Sequence, residues 1–362
     1  MKKILIITNH SYMLWQFRRE LIAALVARGL EVVIALPFGD RVEELKSLGC
    51  RLIDTPLERR GTNPMEEMKL LMRYRRILKQ EKPDLVLTFS VKPNVYGGIL
   101  CRLMKIPRCM HVQGIGTAFQ KPVLSGLVTL LYRLAAGGAK TVFFENQENA
   151  RLFREKKITD EKHQLVLPGA GVNLSHFEAR EYPRRDTVRF LYLGRLMREK
   201  GIRELFDALE QLHREGENFH LDIVGFQEEQ WQENVERLEK LCICTHHGFR
   251  FDPRPYYGNA DCVVLPSYHE GMSNVLLEAG ATARPVITSD IPGCREAVED
   301  GVTGYLCRSK DTEDLKNKLR KFIHLPREEA REMGLRAREK MQRQFDKNQV
   351  VAMTLAALLQ EE

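Results

Sequence analysis

Short apolar runs alternate with longer amphipathic ones along this 362-residue chain, and the whole alternation occurs twice. Lys2 to Thr8, Glu31 to Pro37, Arg51 to Thr55, Asp84 to Ser90, Arg108 to Val112, Thr141 to Glu145 and Gln164 to Leu167 read as buried strands. Most are separated by helical patterns such as Phe17 to Arg28, closed by Gly29. A second series follows at Val188 to Leu193, His220 to Val224, Thr245 to Gly248, Asp261 to Pro266, Pro285 to Ser289 and Gly304 to Cys307, and the chain is helical and charged from Lys310 onward. Strands that are apolar on both faces belong in a parallel sheet covered by helices on either side. The pattern predicts an α/β protein with two Rossmann-like, doubly wound domains over residues 1–170 and 187–345. Pro168 to Asp186, with Gly-Ala-Gly, Asn-Leu-Ser and two charge clusters, reads as the linker.

The length agrees, because 362 residues exceed what one core usually fills. No apolar run reaches the roughly 18 to 20 residues of a membrane span. The opening Met1 to His10 imitates a signal peptide but is too short and leads straight into an amphipathic pattern, so it reads as the first strand. Eight scattered cysteines, with Cys242-x-Cys244 lacking a partner pair at zinc spacing, fit reduced thiols in a cytoplasmic protein.

Residues 266 to 280, Pro-Ser-Tyr-His-Glu-Gly-Met-Ser-Asn-Val-Leu-Leu-Glu-Ala-Gly, place Glu270 and Glu278 eight positions apart where a strand gives way to a helix. Gly271, Ser273 and Asn274 fall where the first helical N–H groups lack a backbone acceptor, which suits a diphosphate. Glu270 and Glu278 could accept hydrogen bonds from sugar hydroxyls; the plainer alternative is a dipole-favoured acid and a surface Glu. Upstream, Val188 to Leu193 runs into Gly194-Arg195-Leu196-Met197-Arg198-Glu199-Lys200-Gly201. Gly194 permits close backbone approach, while Arg195 as a fork and Lys200 as a point charge can reach the same diphosphate. A basic loop by itself is usually just solvated; this one shares its half of the chain with the two-Glu segment.

Gly194 to Gly201, Gly248-Phe249-Arg250, Leu265 to Ala279 and Pro285 to Asp290 together resemble the retaining family-4 glycosyltransferases of the GT-B fold, and the resemblance spans essentially the whole chain. It implies two domains facing a central cleft, with a last helix, near Asn348 to Gln360 within residues 346–362, crossing back to the first domain. It implies that Arg195 and Lys200 grip the donor diphosphate, Glu270 contacts the donor sugar, Glu278 binds the ribose and Gly248 to Arg250 read the nucleobase. His111 ends a strand where some relatives hold a His near the donor sugar; a packed histidine is the alternative. No cofactor is implied beyond a UDP-sugar as donor.

Phe17-Arg18, Val112 to Phe119 and Phe144 to Ala150 resemble the bacterial transferases that extend undecaprenyl-diphosphate-linked intermediates for N-glycan, capsule or exopolysaccharide assembly. A glycine-rich loop that many members carry after the first strand is replaced by Thr8 to Trp15. Tyr12, Met13, Leu14 and Trp15 look there like a greasy lip for a polyprenyl acceptor, beside Arg18.

Residues 1 to 180 hold 29 Lys and Arg against 17 Asp and Glu, a balance of +12; the remainder holds 27 against 32, or −5. Arg59, Arg60, Lys69, Arg73, Arg75, Arg76 and Lys79 are the densest cluster, with Met68, Leu71, Met72 and Leu78 among them. Such a helix can lie on an anionic membrane surface or be simply solvated. Pro122 to Ala136 is a second interfacial candidate, or else a core helix. The expected location is the cytoplasmic side of the inner membrane, peripherally bound.

Nucleic acid is disfavoured because the basic cluster lacks interleaved aromatics. Gly114-x-Gly116 is not completed as a dinucleotide fingerprint, since position 119 is Phe. Hydrolysis by paired carboxylates would not need a diphosphate grip. No Asp-x-Asp motif offers metal ligands, so Arg195, Lys200 and a helix N-terminus are expected to stabilise the leaving group. A nucleotide-sugar 2-epimerase of the same architecture and a catalytically idle binding subunit are the alternatives.

Overall fold

The computed structural model describes residues 1–58, 63–114 and 122–359, with 122–124 described by backbone alone. Two compact units emerge, one formed by Met1–Ala170 together with the chain from Asn348 onward, the other by Gly171–Lys347.

The first unit is built on a seven-stranded sheet in the order β3-β2-β1-β4-β5-β6-β7, comprising β1 Lys3–Ile7, β2 Glu31–Leu36, β3 Arg51–Asp54, β4 Leu85–Phe89, β5 Arg108–Val112, β6 Thr141–Phe144 and β7 Gln164–Val166. Every pairing is parallel. Because successive strand residues face opposite sides, Ile4 and Ile6 join one core cluster and Leu5 and Ile7 another. The first cluster is closed by Leu14, Leu21, Ile22 and Leu25 of the helix Ser11–Ala27 and by Val350, Leu355 and Leu358 of the last helix, Lys347–Leu359. Burying those three aliphatic side chains is worth about 1.5 to 3 kcal/mol each, which ties the chain's end to this unit. The second cluster is closed by Leu70, Tyr74, Ile77 and Leu78 of the helix Pro64–Glu81.

The second unit repeats the plan with six parallel strands in the order β10-β9-β8-β11-β12-β13, from β8 Val188–Leu193 through β9 Phe219–Val224, β10 Cys244–His246, β11 Cys262–Leu265 and β12 Val286–Ser289 to β13 Gly304–Cys307. Strand order reverses between β8 and β11. In doubly wound sheets the carboxyl ends of two such strands diverge and leave a crevice for ligands.

Two expectations need correction. The first helix begins at Ser11, six residues before Phe17, so the lip Tyr12 to Trp15 is helical. Nothing between Thr8 and Phe17 breaks a helix, and Leu14 extends backward the spacing of Leu21 and Leu25; it is core, while Trp15 packs against that core under the Arg19 guanidinium. Met13 is the exposed member. The proposed linker belongs largely to the second unit from Gly171 onward: Val172 bridges to Asp346, and Phe177 lies in that unit's core.

Candidate functional site

The two segments singled out in the sequence lie at the carboxyl ends of β8 and β11, the strands that flank the reversal in order. After β8 the chain passes through Gly194–Gly201 and enters the helix Ile202–Arg214; after β11 it passes through Pro266–Ser273 and enters the helix Asn274–Ala281. Gly201, with φ of +68°, brings the loops together: a Cβ there would meet the Pro266 carbonyl oxygen at 2.0 Å. The Tyr268 N–H donates to the Glu199 carbonyl at 2.9 Å and reinforces the join. On the far side a Cβ at Gly293 would meet the Gly271 oxygen at 2.5 Å, and the Ser273 N–H donates to the Gly293 carbonyl at 2.9 Å. The start of the Asn274–Ala281 helix is therefore fixed by backbone packing.

Between these loops Lys200 Nζ donates to Glu270 Oε1 at 2.5 Å, and Ser267 Oγ donates to the same oxygen at 2.8 Å. The pair is largely shielded, with the Lys200 and Glu270 side chains 20% and 13% exposed. Arg195 pairs through Nη1 with Glu228, while its own carbonyl accepts from the Tyr192 hydroxyl at 2.8 Å. Glu278 is buried, and Tyr257 Oη donates to its Oε2 at 2.9 Å. Burial foremost, with the neighbouring Glu278 charge, holds the Tyr257 phenol well above its ordinary pKa. The phenol stays protonated and donates to the carboxylate. Glu278 is thus oriented from within the fold, which the surface-Glu alternative did not foresee.

Gly248 has φ of +67°, and Phe249 beyond it is exposed, edge-to-face with Phe251 at 4.9 Å and with Phe226 at 6.2 Å. Arg250 is also exposed, and its Nε donates to Tyr256 Oη at 3.1 Å. The structure thus assembles Gly194, Arg195, Lys200, Glu270, Gly271, Ser273, Asn274 and Glu278 on one edge of the second unit's sheet, with Phe249 and Arg250 after β10 on the same carboxyl edge.

Arg18 and His111 belong to the first unit and turn inward. Arg18 Nη2 donates to Glu145 Oε1 at 2.7 Å and to His111 Nε2 at 3.2 Å, and all three residues are buried. The His111 ring stacks between Phe89 at 5.1 Å and Phe143 at 5.8 Å. Burial first, then the Arg18 charge, holds His111 well below its usual pKa, so it is neutral and presents Nε2 as the acceptor. Arg18, expected beside an acceptor, is buried because its helix carries it to the core face with Leu14 and Leu21.

In the helix Pro64–Glu81 the exposed face carries Met65, Met68 and Met72 with Lys69, Arg75, Arg76 and Lys79. Arg73 is half-buried and donates to the Pro56 carbonyl at 2.6 Å. Leu78 is core rather than surface, and Arg59 and Arg60 lie outside the described residues. The helix Pro122–Ala136 has Tyr132, Ala135 and Ala136 buried but Leu127, Leu130 and Leu134 exposed, so it is core on one face only. Residues 115–119 of the Val112–Phe119 motif lie outside the described residues. Among the described residues no helix is long and apolar enough to cross a membrane, and no three His, Cys, Asp or Glu form a group able to hold a metal ion.

Sequence reasoning missed Glu228, Ser267, Tyr257 and Glu145. Ser267 stood inside the quoted segment, three residues from Glu270, and Glu145 directly follows β6. Glu228 and Tyr257 carried no local signal.

Comparison with known proteins agrees with this fold. Residues 177–340 match the family described as glycosyl transferases group 1, and residues 14–169 match the glycosyl transferase 4-like domain. The N,N'-diacetylbacillosaminyl-diphospho-undecaprenol alpha-1,3-N-acetylgalactosaminyltransferase of Campylobacter jejuni is 28% identical over 84% of this chain and 85% of its own. The UDP-Gal:alpha-D-GlcNAc-diphosphoundecaprenol alpha-1,3-galactosyltransferase of Escherichia coli is 27% identical over 72% of this chain and 71% of its own. Among solved structures, Anabaena HepE in complex with UDP and glucose superposes with a TM-score of 0.80 at 18% identity, covering 99% of this chain and 100% of that one. Two parallel-sheet units, the first matched as a glycosyl transferase 4-like domain and the second as a glycosyl transferases group 1 domain, lead to one assignment: the chain is a glycosyltransferase of the GT-B fold.

Proposed function

We propose that this enzyme moves a sugar, a hexose or N-acetylhexosamine, from a UDP-sugar to an undecaprenyl-diphosphate-linked saccharide in bacterial surface-glycan assembly. The observation that carries the donor half is the pairing of Lys200 with Glu270 across the ends of β8 and β11, beside Arg195 and the start of the Asn274–Ala281 helix. A cation and a carboxylate side by side suit a ligand with a diphosphate at one end and sugar hydroxyls at the other. The acceptor half is supported by the undecaprenyl-linked substrates in the names of the Campylobacter and Escherichia relatives.

In this reading Arg195, Lys200 and the positive N-terminal end of the Asn274–Ala281 helix stabilise the diphosphate as the anomeric C–O bond breaks. Glu278, held by Tyr257, takes the ribose hydroxyls, Glu270 takes the sugar, and Phe249 with Arg250 flanks the base. The acceptor hydroxyl attacks from the face the diphosphate leaves, its proton passing to the departing phosphate oxygen, so configuration is retained. Protein cations carry the leaving-group charge in place of a metal. His111 accepts from Arg18 and holds that side chain.

The enzyme works on the cytoplasmic face of the inner membrane in this account, held by its basic N-terminal unit. The +12 balance of residues 1 to 180 and the exposed Met and Arg side chains of Pro64–Glu81 support that placement. Each basic residue near an anionic surface contributes about 1 kcal/mol. Flotation with anionic liposomes should fall with salt, and reversing Arg73, Arg75 and Arg76 to Glu should remove most of it while sparing turnover on a short, water-soluble acceptor; unchanged flotation would refute the placement.

Product analysis with a nucleotide-sugar panel, with and without lipid-linked acceptor, tests the reaction. Acceptor-dependent release of UDP and an α-linked product that still forms in EDTA is the expected result. An altered free sugar without acceptor would indicate an isomerase, and loss of activity in EDTA restored by a divalent metal would overturn the metal-independent step.

A further inference from the structure

The cation assigned to the diphosphate in the reading above is already occupied. Residues 226–231, which follow β9, run alongside the basic loop that follows β8. The Leu196 N–H donates to the Phe226 carbonyl at 3.0 Å, the Glu228 N–H returns a bond to the Leu196 carbonyl at 3.2 Å, and the Arg198 N–H donates to Glu229 Oε2 at 2.8 Å. This ladder fixes the backbone of Glu228 opposite Arg195, and the two side chains meet in an ion pair. From behind, the Tyr192 hydroxyl holds the Arg195 carbonyl, so the arginine's backbone is fixed while its guanidinium faces Glu228. The pair is half in solvent, with the Arg195 and Glu228 side chains 39% and 20% exposed.

A carboxylate and a phosphate present the same pair of acceptor oxygens to a guanidinium fork. An arginine waiting for a diphosphate without a counter-charge would sample many rotamers and would have to be ordered by the ligand, at an entropic cost. Glu228 spares that cost but competes for the same N–H donors. Because the pair is part-exposed, its strength is screened and modest, so the more highly charged diphosphate can displace it. Glu228 then remains accessible to water and can reclaim Arg195 when the diphosphate leaves.

We propose that Glu228 is a positioning residue for the transfer reaction, an internal stand-in for the donor's diphosphate that holds Arg195 in the empty site, yields it on donor binding and takes it back as the spent nucleotide leaves. This rests on Arg195 contacting the diphosphate. The role predicts a specific pattern: removing the Glu228 charge tightens nucleotide binding, lowers the donor KM and does not raise kcat.

Calorimetric titration of UDP into wild type, E228Q, E228A, E228D, R195A and the R195A/E228Q double variant, with uridine followed by ligand-detected NMR as the diphosphate-free control, tests it. E228Q and E228A should bind UDP about fivefold more tightly, and E228D should stay near wild type because it keeps the charge. R195A should weaken UDP binding at least about tenfold, and in the R195A background E228Q should change little. Uridine binding should be the same throughout. If R195A leaves UDP affinity unchanged, the diphosphate reading of Arg195 falls. If R195A weakens binding but E228Q and E228A leave it unchanged or weaken it, the stand-in role falls and the diphosphate reading survives. An equal gain for uridine, or an equal gain when Arg195 is absent, overturns the role as well.

Discussion

Each unit of the molecule sets an arginine against a glutamate beside a further titratable group, and the two settings differ in their access to water. In the first unit Arg18, Glu145 and His111 are all buried, with the His111 ring stacked on Phe89 and Phe143. In the second, Arg195 with Glu228 and Lys200 with Glu270 lie in loops at strand ends and keep part of their surface in solvent. A buried charge pair cannot change partners, because neither ion can be left alone in a low-dielectric interior. A part-exposed pair can, since water screens whichever ion is released. The first arrangement fits architecture and the second fits a ligand.

Substitutions should separate the two settings. The largest expected effect is on stability in the first unit: Arg18→Ala strands the Glu145 carboxylate and should cost about 3 to 5 kcal/mol, read as a lower thermal midpoint of this unit. Arg18→Met combined with Glu145→Gln should recover much of it. Wild-type stability in Arg18→Ala would erase the contrast between the units.

Next come the loop cations. Arg195→Ala and Lys200→Ala should each lower kcat/KM at least about tenfold, equivalent to one charge-assisted contact of about 1.5 kcal/mol. The melting temperature of Arg195→Ala should stay close to wild type, since its part-exposed pair with Glu228 contributes about 0 to 1 kcal/mol. Near-normal turnover in both variants would remove the second unit's claim to the ligand.

The smallest effect is in pH dependence. His111 is held below its ordinary pKa by burial and by Arg18, so below about pH 6.5 the unfolded chain takes up a proton that the folded one resists. Its contribution to stability is fully present above that pH and is lost as pH falls, by at most about 1.4 kcal/mol per pH unit. His111→Gln keeps an acceptor for Arg18 and should flatten this part of the acid loss, as followed by thermal melts from pH 7 to 5. An unchanged acid slope would show that His111 is not the group responsible.

Much of the second setting was legible in the sequence, and little of the first. Val188–Leu193 and Cys262–Leu265 are apolar runs that stop at a glycine or proline, so the loops carrying Arg195, Lys200 and Glu270 announce themselves by local pattern. The contacts that orient these residues are not local. Tyr257 and Glu278 are 21 residues apart, Arg195 and Glu228 33, and Arg18 and Glu145 127. Periodicity carries no information across such separations; the sheet order decides them. The early start of the first helix was hidden for a different reason: His10 caps it by extended backbone alone, without a side-chain hydrogen bond. The exposed leucines of Pro122–Ala136 share a sequence pattern with a wholly buried helix, and only the packing of Tyr132 and Ala135 shows which face is inside.

Hydrogen exchange followed by mass spectrometry, with and without saturating UDP, tests most directly whether the donor belongs to the half-exposed loops. Slower exchange should appear in peptides spanning Gly194–Gly201 and Glu270–Glu278, where backbone N–H groups and fixed side chains would meet the diphosphate and ribose. Unchanged exchange in both segments, with protection instead confined to peptides around Arg18, His111 and Glu145, would contradict it.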